Sequence, residues 1–397
     1  RRDIRFETRV ASATWDEASA AWTVGFDNGE QVEGRFFILA GGAISVPKPP
    51  EVDGIESFRG ACHHTARWPR EPVDFTGQRV AVIGTGSSGV QTSTAIVDQV
   101  AELTIFQRTP NYTAPIINYP LAPGAMDDFR KIAAARHEKS PHSRQGIPYD
   151  QPTKSALAVS AEEREATYQY AWDNSHLFAL RLTYNDLLVD EAANETVAQF
   201  VHGKIRETVK DPALAEKLIP RSYPFSTKRP CIGRGYYDMF NRDNVRLVDL
   251  RETPMVRITP DGIETSEGEM AFDAIVFATG FDALTGAAAL IDITGRDGVT
   301  LRGKWAGGPE TYLGLMSSGF PNMFLVTGPG SPGPLTAMVK SIEQHVDWIA
   351  DCMTFLRAHG HTTIDARPAN ETAWMDHVQE VADGTLYPRA NSWYVGA

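Results

Sequence analysis

The 397-residue chain has 38 Lys and Arg against 50 Asp and Glu, a formal net charge of −12, and 42% hydrophobic residues. A chain of this length and apolar content can bury a sizeable core, and we expect two or three globular units. The negative charge repels a phosphate backbone, which argues against nucleic acid as a partner.

The three cysteines, Cys62, Cys231 and Cys352, lie far apart and outside any CxxC or Cys/His spacing. This pattern favours neither a disulfide framework nor a metal site. No apolar run reaches the roughly 18 residues that span a bilayer, and the opening RRDIRFETRV lacks the apolar core of a signal peptide. We therefore expect a soluble, cytoplasmic protein without a membrane partner; its oligomeric state stays open.

The N-terminal part of the chain has the alternation of β-strands. Strands are predicted at IRFETRV (4–10), WTVGF (22–26) and FFILA (36–40), and the last of these runs into Gly41-Gly42. The segment VPKPPEVDGIESFRG (46–60) contains three prolines and is predicted to be a connecting loop.

From Gln78 onward the pattern changes to a βαβ unit: the strand RVAVIG, a glycine turn, a helix from about Ser88 to Val100, and the strand LTIFQ. The residues from about Asp127 to Pro220 have helical spacing and predict a mostly helical insertion. The later strands and the last long helix are predicted at VRLVDL (245–250), MVRIT (255–259), GIETS (262–266), DAIVFATG (273–280), NMFLVTG (322–328) and Met338–Ala358.

A GxGxxG motif, GTGSSG, lies between the first strand and the helix of this unit. Its members are Gly84, Thr85, Gly86, Ser87, Ser88 and Gly89. In this context the glycines allow a tight turn, a close approach of a pyrophosphate and close helix–strand packing, and the helix N-terminus supplies N–H donors. The motif predicts dinucleotide binding; the alternative is a glycine-rich turn without a ligand.

The residues at the end of LTIFQ bear on which dinucleotide binds. An NAD site places an acidic residue there for the ribose 2′-hydroxyl, but this chain has Arg108 and Thr109. A cation and a hydroxyl suit a 2′-phosphate, so NADP is the expected cofactor; the alternative is an arginine that is simply solvated.

Upstream of the glycine turn, the segment FRGACHHTARWP has the spacing FxGxxxHxxxWP, with Phe58, Gly60, His64, Trp68 and Pro69 at its fixed positions. This resembles the fingerprint of type I Baeyer–Villiger monooxygenases, flavoenzymes that use NADPH and O2 to insert one oxygen atom beside a ketone carbonyl. The Trp-Pro ending favours this family over the related monooxygenases that oxidise nitrogen or sulfur. Without the family, His64 and Trp68 are ordinary structural residues, and we assign the fingerprint a structural role.

The resemblance extends along nearly the whole chain and in the family's order. It is carried by FQRTPNY (106–112), TKRP (227–230), YYDMFNRDNVRLVD (236–249), ATGFDALTG (278–286), KWAGGPETYLGL (304–315), GFPN (319–322), GPGSP (328–332), SIEQHVDWI (341–349) and SWYVGA (392–397). The branch that it resembles most is the one acting on phenylacetone, steroids and larger cyclic ketones.

The resemblance implies roles for particular residues. Arg229 matches the family's catalytic arginine, whose charge supports the flavin peroxide and the adduct that gives an ester or lactone. Lys228 matches a residue that holds the NADP 2′-phosphate with Arg108. Further cofactor contacts are implied for Gln91, Ala278, Thr279, Gly280, Met338 and Trp393, and a ketone pocket for Pro332, Gly333, Pro334 and Leu335.

The fold implied is α/β, with two Rossmann-like dinucleotide-binding domains for FAD and NADP and a helical insertion. We expect residues 1–77 to be the remainder of the FAD domain and a linker, 78–125 and 221–280 to form the NADP domain, 126–220 to be the insertion, and 281–397 to return to the FAD domain.

The family's first GxGxxG, which holds FAD, would precede residue 1, and its chain would continue beyond residue 397. We therefore expect an incomplete FAD domain, either as part of a longer protein or from a truncated gene. A nitrogen- or sulfur-oxidising monooxygenase and an NADP-binding fragment without catalysis remain as alternatives.

Overall fold

The computed structural model describes residues 3–116, 120–174, 177–331 and 336–395. The strands are β1 (Val10–Asp16), β2 (Ala21–Phe26), β3 (Gln31–Gly34), β4 (Phe37–Leu39), β5 (Val46–Pro47), β6 (Ala61–His64), β7 (Arg79–Ile83), β8 (Glu102–Gln107), β9 (Thr113–Pro115), β10 (Cys231–Gly233), β11 (Val245–Asp249), β12 (Met255–Thr259), β13 (Gly262–Thr265), β14 (Gly268–Ala271), β15 (Ala274–Phe277), β16 (Phe281–Asp282), β17 (Asp292–Thr294) and β18 (Met323–Leu325). The α-helices are α1 (Ser87–Ile96), α2 (Ala125–Lys139), α3 (Ala161–Asn174), α4 (Leu177–Arg181), α5 (Glu191–Thr208), α6 (Pro212–Leu218), α7 (Gly286–Ala289), α8 (Leu301–Lys304), α9 (Met338–Ala358) and α10 (Pro368–Asp383).

A parallel five-stranded sheet in the order β11-β8-β7-β15-β6 carries the predicted βαβ unit. From β7 the chain passes through α1 to β8 and later to β11 on one side, while β15 and β6 lie on the other side. The strand order therefore reverses between β7 and β15. In open α/β sheets a ligand binds at such a point, outside the carboxyl ends of the strands.

The sheet is buried on both faces, as a parallel sheet requires. Val80, Ala81 and Val82 of β7 are fully buried. Val90 and Ile96 of α1 pack in the core on one face. The expected helix is present, but it ends at Ile96 rather than at Val100.

The opposite face of the sheet is covered by β12, β13 and β14, which form an antiparallel three-stranded sheet. Ile258 and Ile263 of this small sheet belong to the same core cluster as Phe106 and Ile275 of the parallel sheet. MVRIT and GIETS were predicted as strands; β14, in between GIETS and DAIVFATG, was not.

The segment predicted to be a helical insertion contains α2 to α6. Local caps fix where two of these helices begin. Asp190 accepts a hydrogen bond from the N–H of Ala193 at the start of α5, and Asp211 does the same for Ala213 before α6, which opens with Pro212.

A second layer is built from both ends of the chain. β17, β1, β2 and β3 form one sheet, and β4 pairs in parallel with β18. Trp22 and Phe320 are fully buried in the core of this layer. The long helix α9 spans Met338–Ala358, as the sequence predicted.

One local prediction was wrong. Residues 4–9 are not a strand: β1 begins at Val10, and Phe6 is 76% exposed because no strand among the described residues pairs with this part of the chain. No strand was predicted at residues 61–64, where β6 pairs with β15 at the edge of the parallel sheet.

Within the described ranges, no helix is both long and apolar enough to cross a membrane. Among the same residues, no cluster of three or more His, Cys, Asp or Glu side chains is arranged to hold a metal ion.

Candidate functional site

The glycine turn lies at the point where the strand order reverses. It follows β7, and the N–H of Gly84 donates to the carbonyl of Phe106 at the end of β8, at 3.0 Å. A β-carbon on Gly84 would lie 2.6 Å from the carbonyl oxygen of Ala278, and one on Gly89 would lie 2.0 Å from that of Gly84. Both positions therefore need glycine so that the turn, α1 and the end of β15 can pack together.

Gly86 differs from these two glycines. It is the N-cap of α1 with φ −74° and ψ −177°, a conformation open to any residue, and no side chain caps the helix there. A β-carbon on Gly86 would meet no atom within 4 Å. The turn thus has an open approach to a helix N-terminus with N–H groups to offer, which is the environment that a pyrophosphate needs.

The polar residues of the turn have different surroundings. Thr85 is buried, and its hydroxyl donates to the carbonyl of Thr109 at 2.7 Å. The Ser87 hydroxyl lies 3.6 Å from the Cys231 thiol. Ser88 is half-buried, and Gln91, on the first turns of α1, is exposed. Thr85 therefore ties the turn to the segment that follows β8.

Two predicted cofactor cations come together at this edge of the sheet. Arg108 is exposed after β8, and Lys228 is half-buried. Burial lowers the pKa of Lys228, and the positive charge of Arg108 lowers it further. The ammonium of Lys228 donates to the carbonyl of Asn391 at 3.2 Å. An anion between the two cations would relieve their repulsion.

Arg229 is exposed next to Lys228. Its carbonyl accepts a hydrogen bond from the Asn111 amide at 3.4 Å. Burial raises the pKa of the Tyr394 phenol to about 12, and the charge of Arg229 acts in the opposite direction. The ring of Trp393 lies 4.7 Å from that of Tyr394. The structure therefore brings the predicted catalytic arginine and Trp393 to the same region.

Two fingerprint residues, Phe58 and Gly60, pack beside the parallel sheet. A β-carbon on Gly60 would lie 2.4 Å from the carbonyl oxygen of Asp273 and 2.6 Å from the ring of Phe58. Phe58 packs against the core cluster between the parallel sheet and β12 to β14. Gly60 thus lets β6 run close to the segment that enters β15.

His64 connects the fingerprint segment to the residues that follow β5 and β15. Its Nδ1 accepts from the N–H of Ala66 at 3.1 Å, so Nε2 carries the proton. Nε2 lies 3.2 Å from the Thr279 hydroxyl and 3.3 Å from the Lys48 carbonyl, and the Thr279 hydroxyl donates to the same carbonyl at 2.9 Å. These contacts tie the end of β6 to the backbone at Lys48 and to the Thr279 hydroxyl.

Trp68 is 39% exposed, and its ring packs 5.5 Å from that of His63. Pro69, the last residue of the fingerprint, is half-buried beside it. Gly280, after Thr279, has φ 88°, and a β-carbon there would meet no atom within 4 Å, so its backbone is open to a neighbour. Ala278 is buried at the end of β15.

Met338 begins α9, in the second layer. The preceding Ala337 donates from its N–H to the carbonyl of Gln145 at 2.8 Å, so this helix start contacts the segment after α2. The predicted ketone pocket, Pro332, Gly333, Pro334 and Leu335, lies outside the described residues.

Sequence reasoning missed two residues of this region. Asn111 donates both to the carbonyl of Arg229 and to the Cys231 sulfur, at 3.4 and 3.2 Å. Tyr223 donates to Pro110 and to Asn111, at 3.1 and 2.9 Å. Asn111 lies within FQRTPNY, one of the segments that carry the family resemblance. No local sequence pattern distinguishes Tyr223.

Comparisons with known proteins identify relatives over the whole chain. No protein-family model matches the chain. A cyclohexanone 1,2-monooxygenase from an Acinetobacter species is 40% identical over 403 residues, which covers 100% of this chain and 73% of that protein. A phenazine N-monooxygenase from Lysobacter antibioticus is more distant, at 34% identity over 397 residues.

Solved structures of related monooxygenases also match over the whole chain. An oxidised steroid monooxygenase bound to NADP is 46% identical with a TM-score of 0.94, over 100% of this chain and 75% of that one. OTEMO in complex with FAD and NADP is 39% identical with a TM-score of 0.97, over 100% and 76%.

The fold and the glycine turn are those of a dinucleotide-binding protein. The identity and coverage go further: the chain belongs to the Baeyer–Villiger monooxygenase family, and it spans about three quarters of the length of the relatives that it matches.

Proposed function

We propose that this chain binds NADP at the glycine turn and carries the catalytic arginine of a Baeyer–Villiger monooxygenase that converts a ketone into an ester or lactone. The observation that carries the proposal is the meeting of three features at one edge of the sheet. The open helix N-terminus at Gly86, the cation pair Arg108 and Lys228, and Arg229 all lie there.

The residues present fit NADP. Gly86 offers the space and the uncapped helix N-terminus that a pyrophosphate requires. Arg108 and Lys228 would hold the 2′-phosphate, because its negative charge offsets the repulsion that contributes to the lowered pKa of Lys228. The Thr109 hydroxyl follows Arg108 and would add a donor. Ser87, Ser88 and Gln91 would contact the cofactor from the start of α1.

The residues on the other side of the junction fit part of FAD. Gly280 has an open approach, and Ala278 and Thr279 precede it without a bulky side chain. The N–H of Lys48 donates to the carbonyl of Gly280 at 3.0 Å, which fixes this backbone beside the end of β5. We propose that these residues, with Met338 and Trp393, contact the cofactors where the chain passes between its two layers.

FAD and NADPH, when bound, supply the oxygen activation and the reducing equivalents. The guanidinium of Arg229 is a planar cation and can stabilise negative charge that develops on the ketone oxygen. Its neighbour Asn111 holds the backbone at this position. The positive charge of Arg229 would therefore be needed for oxygen transfer to the ketone and not for reduction of the flavin.

The experiment that tests this role separates the two half-reactions of Arg229→Ala. Flavin reduction by NADPH should persist, while ester formation should fall by at least about 10²-fold, the range for loss of one stabilising donor. Arg229→Lys keeps the charge without the planar fork and should recover part of the rate.

Arg234→Ala is the matched control, because Arg234 is exposed only five residues away. This variant should behave like the unmodified protein. Ester formation by Arg229→Ala at the unmodified rate would refute the catalytic assignment.

The remaining expectations belong to the same proposal. Residues 78–125 and 221–280, with β6 added, would form the NADP domain, and residues 126–220 the insertion. The ketone would lie near 332–335, and Trp68-Pro69 would keep its structural role. A ketone is favoured over a nitrogen substrate, because the identity to a cyclohexanone monooxygenase, 40%, exceeds the 34% identity to a phenazine N-monooxygenase. A cytoplasmic location is part of this proposal.

A further inference from the structure

Tyr223 belongs to the same segment as Lys228 and contacts the segment that follows Arg108, so it connects the two parts of the proposed 2′-phosphate site. The residue is 5% exposed. Its hydroxyl is shared between the carbonyl of Pro110 at 3.1 Å and the side-chain oxygen of Asn111 at 2.9 Å. Pro110 and Asn111 follow closely after Arg108, so these hydrogen bonds of Tyr223 restrain the backbone next to that arginine.

The ring of the same tyrosine contacts the other cation. The ammonium of Lys228 lies 5.2 Å from the centroid of the Tyr223 ring. A cation over an aromatic face is attracted by the ring quadrupole. The Tyr112 ring packs edge-on at 5.5 Å from Tyr223 and leaves it little freedom to turn. One buried side chain therefore contacts the segment that follows Arg108 through its hydroxyl and Lys228 through its ring.

We propose that Tyr223 is a positioning residue that sets the spacing of Arg108 and Lys228 and thereby determines the preference for a 2′-phosphate over a 2′-hydroxyl. The inference rests on the proposed NADP site and goes beyond it, because neither the glycine turn nor the cations themselves explain how two like charges are kept close.

The distance between Arg108 and Lys228 matters for phosphate binding because the two side chains carry like charges. Arg108 and Lys228 repel each other, and this repulsion contributes to the lowered pKa of Lys228. In the structure Lys228 is also bonded to the carbonyl of Asn391. Without the contacts of Tyr223 the two cations would separate, and part of the binding energy of a phosphate would be consumed in bringing them together again.

The test uses two nucleotides that differ only at the 2′ position, 2′,5′-ADP and 5′-AMP, with affinity measured by titration calorimetry. Tyr223→Phe keeps the ring and removes the hydroxyl. Its affinity for 2′,5′-ADP should fall about three- to tenfold, the range for one hydrogen bond, while that for 5′-AMP changes less than about twofold. Tyr168→Phe is the control, since Tyr168 is also buried and is bonded to Thr196 in the helical insertion.

A comparison with Arg108→Ala distinguishes this inference from the proposed function. Arg108→Ala should lose the preference for 2′,5′-ADP, and Tyr223→Phe should have no further effect in that background, because it acts through Arg108. Retained preference in Arg108→Ala would overturn the 2′-phosphate site itself. If Arg108→Ala lost the preference for 2′,5′-ADP but Tyr223→Phe bound 2′,5′-ADP with unchanged affinity, only the role of Tyr223 would be overturned.

A second variant covers the case in which Tyr223→Phe unfolds. Asn111→Ala removes one acceptor of the Tyr223 hydroxyl and should show the same selective loss. Equal losses for both nucleotides in the folded variants would mean that Tyr223 is merely structural and would refute the inference.

Discussion

Gly86→Ala separates cofactor binding from folding, because the added methyl group faces an open approach and not the protein. Its φ of −74° is ordinary for alanine, and no atom lies within 4 Å of the new β-carbon. Alanine gains about 0.4–1 kcal/mol from a less flexible unfolded chain. It loses an amount of similar size because glycine is the better N-cap. The free energy of unfolding should therefore change by less than about 1 kcal/mol.

Binding should change much more. The methyl group occupies the direction from which a pyrophosphate reaches the N–H groups at the start of α1. Hydrogen bonds to charged groups contribute about 1.5–3 kcal/mol each. Loss of one such bond weakens NADP+ binding by about 10- to 150-fold, since about 1.4 kcal/mol corresponds to a factor of ten. Titration calorimetry with NADP+ and thermal unfolding would measure the two effects on the same sample.

Gly89→Ala provides the contrast. Its β-carbon would lie 2.0 Å from the carbonyl oxygen of Gly84 and 2.8 Å from the carbonyl carbon, both backbone atoms that cannot rotate away. Such overpacking costs about 1–3 kcal/mol and lowers the unfolding temperature. If Gly86→Ala bound NADP+ as tightly as the unmodified protein, the turn would not be the pyrophosphate site.

Two further predictions concern stability. Glu371, 3% exposed, accepts hydrogen bonds from Lys304 at 2.6 Å and from the N–H of Ser318 at 2.8 Å. Glu371→Gln leaves a half-buried ammonium without its counter-charge and should cost about 3–5 kcal/mol in urea unfolding; a loss below about 1 kcal/mol would contradict this. His345 is 4% exposed and accepts from the N–H of Thr327 at 3.0 Å. Burial lowers its pKa below the ordinary 6.5, so its contribution is complete above pH 6.5 and is lost as the pH falls through the folded-state pKa. His345→Asn, which keeps an acceptor, should flatten that part of the unfolding-temperature profile, and exposed His359→Asn should not.

The same linkage applies to Glu371 at lower pH. Burial acts to raise the pKa of this carboxyl, but the hydrogen bonds from Lys304 and Ser318 outweigh burial and lower it below the ordinary 4.5. The stability that Glu371 contributes is therefore present above pH 4.5 and is lost as the pH falls through its folded-state pKa. His345 and Glu371 thus affect different pH ranges and can be told apart in one series of unfolding curves.

The central βαβ unit could be predicted from the sequence because three local signals agree there. β7 contains a continuous apolar run, the glycine turn follows directly after it, and α1 comes next with helical spacing. The N-terminal prediction failed because alternation alone does not provide a partner strand. IRFETRV alternates as well as a true strand, yet pairing begins only at Val10, where β2 lies alongside.

Other features could not be predicted because they depend on tertiary contacts. β6 has four residues, ACHH, without a clear period of two, and it is a strand only because β15 lies beside it. Asn111 and Asn391 lie far in sequence from the segment of Tyr223 and Lys228, and only folding brings Asn111 to Tyr223 and Asn391 to Lys228. Composition and spacing describe each segment separately and contain no information about this meeting.

The junction between the two layers explains how the fingerprint residues can affect the cofactor site. The two chain crossings, β5 and β16, pair with each other, and the N–H of Leu284 donates to the carbonyl of Ala43 at 2.7 Å. His64 and Thr279 converge on the carbonyl of Lys48, so the end of β15 cannot move independently of the crossing before it. Because Ala278 at that end packs against Gly84 and Gly89, any shift of the crossings would change the glycine turn itself. A substitution of His64 would therefore be expected to change the glycine turn through packing alone.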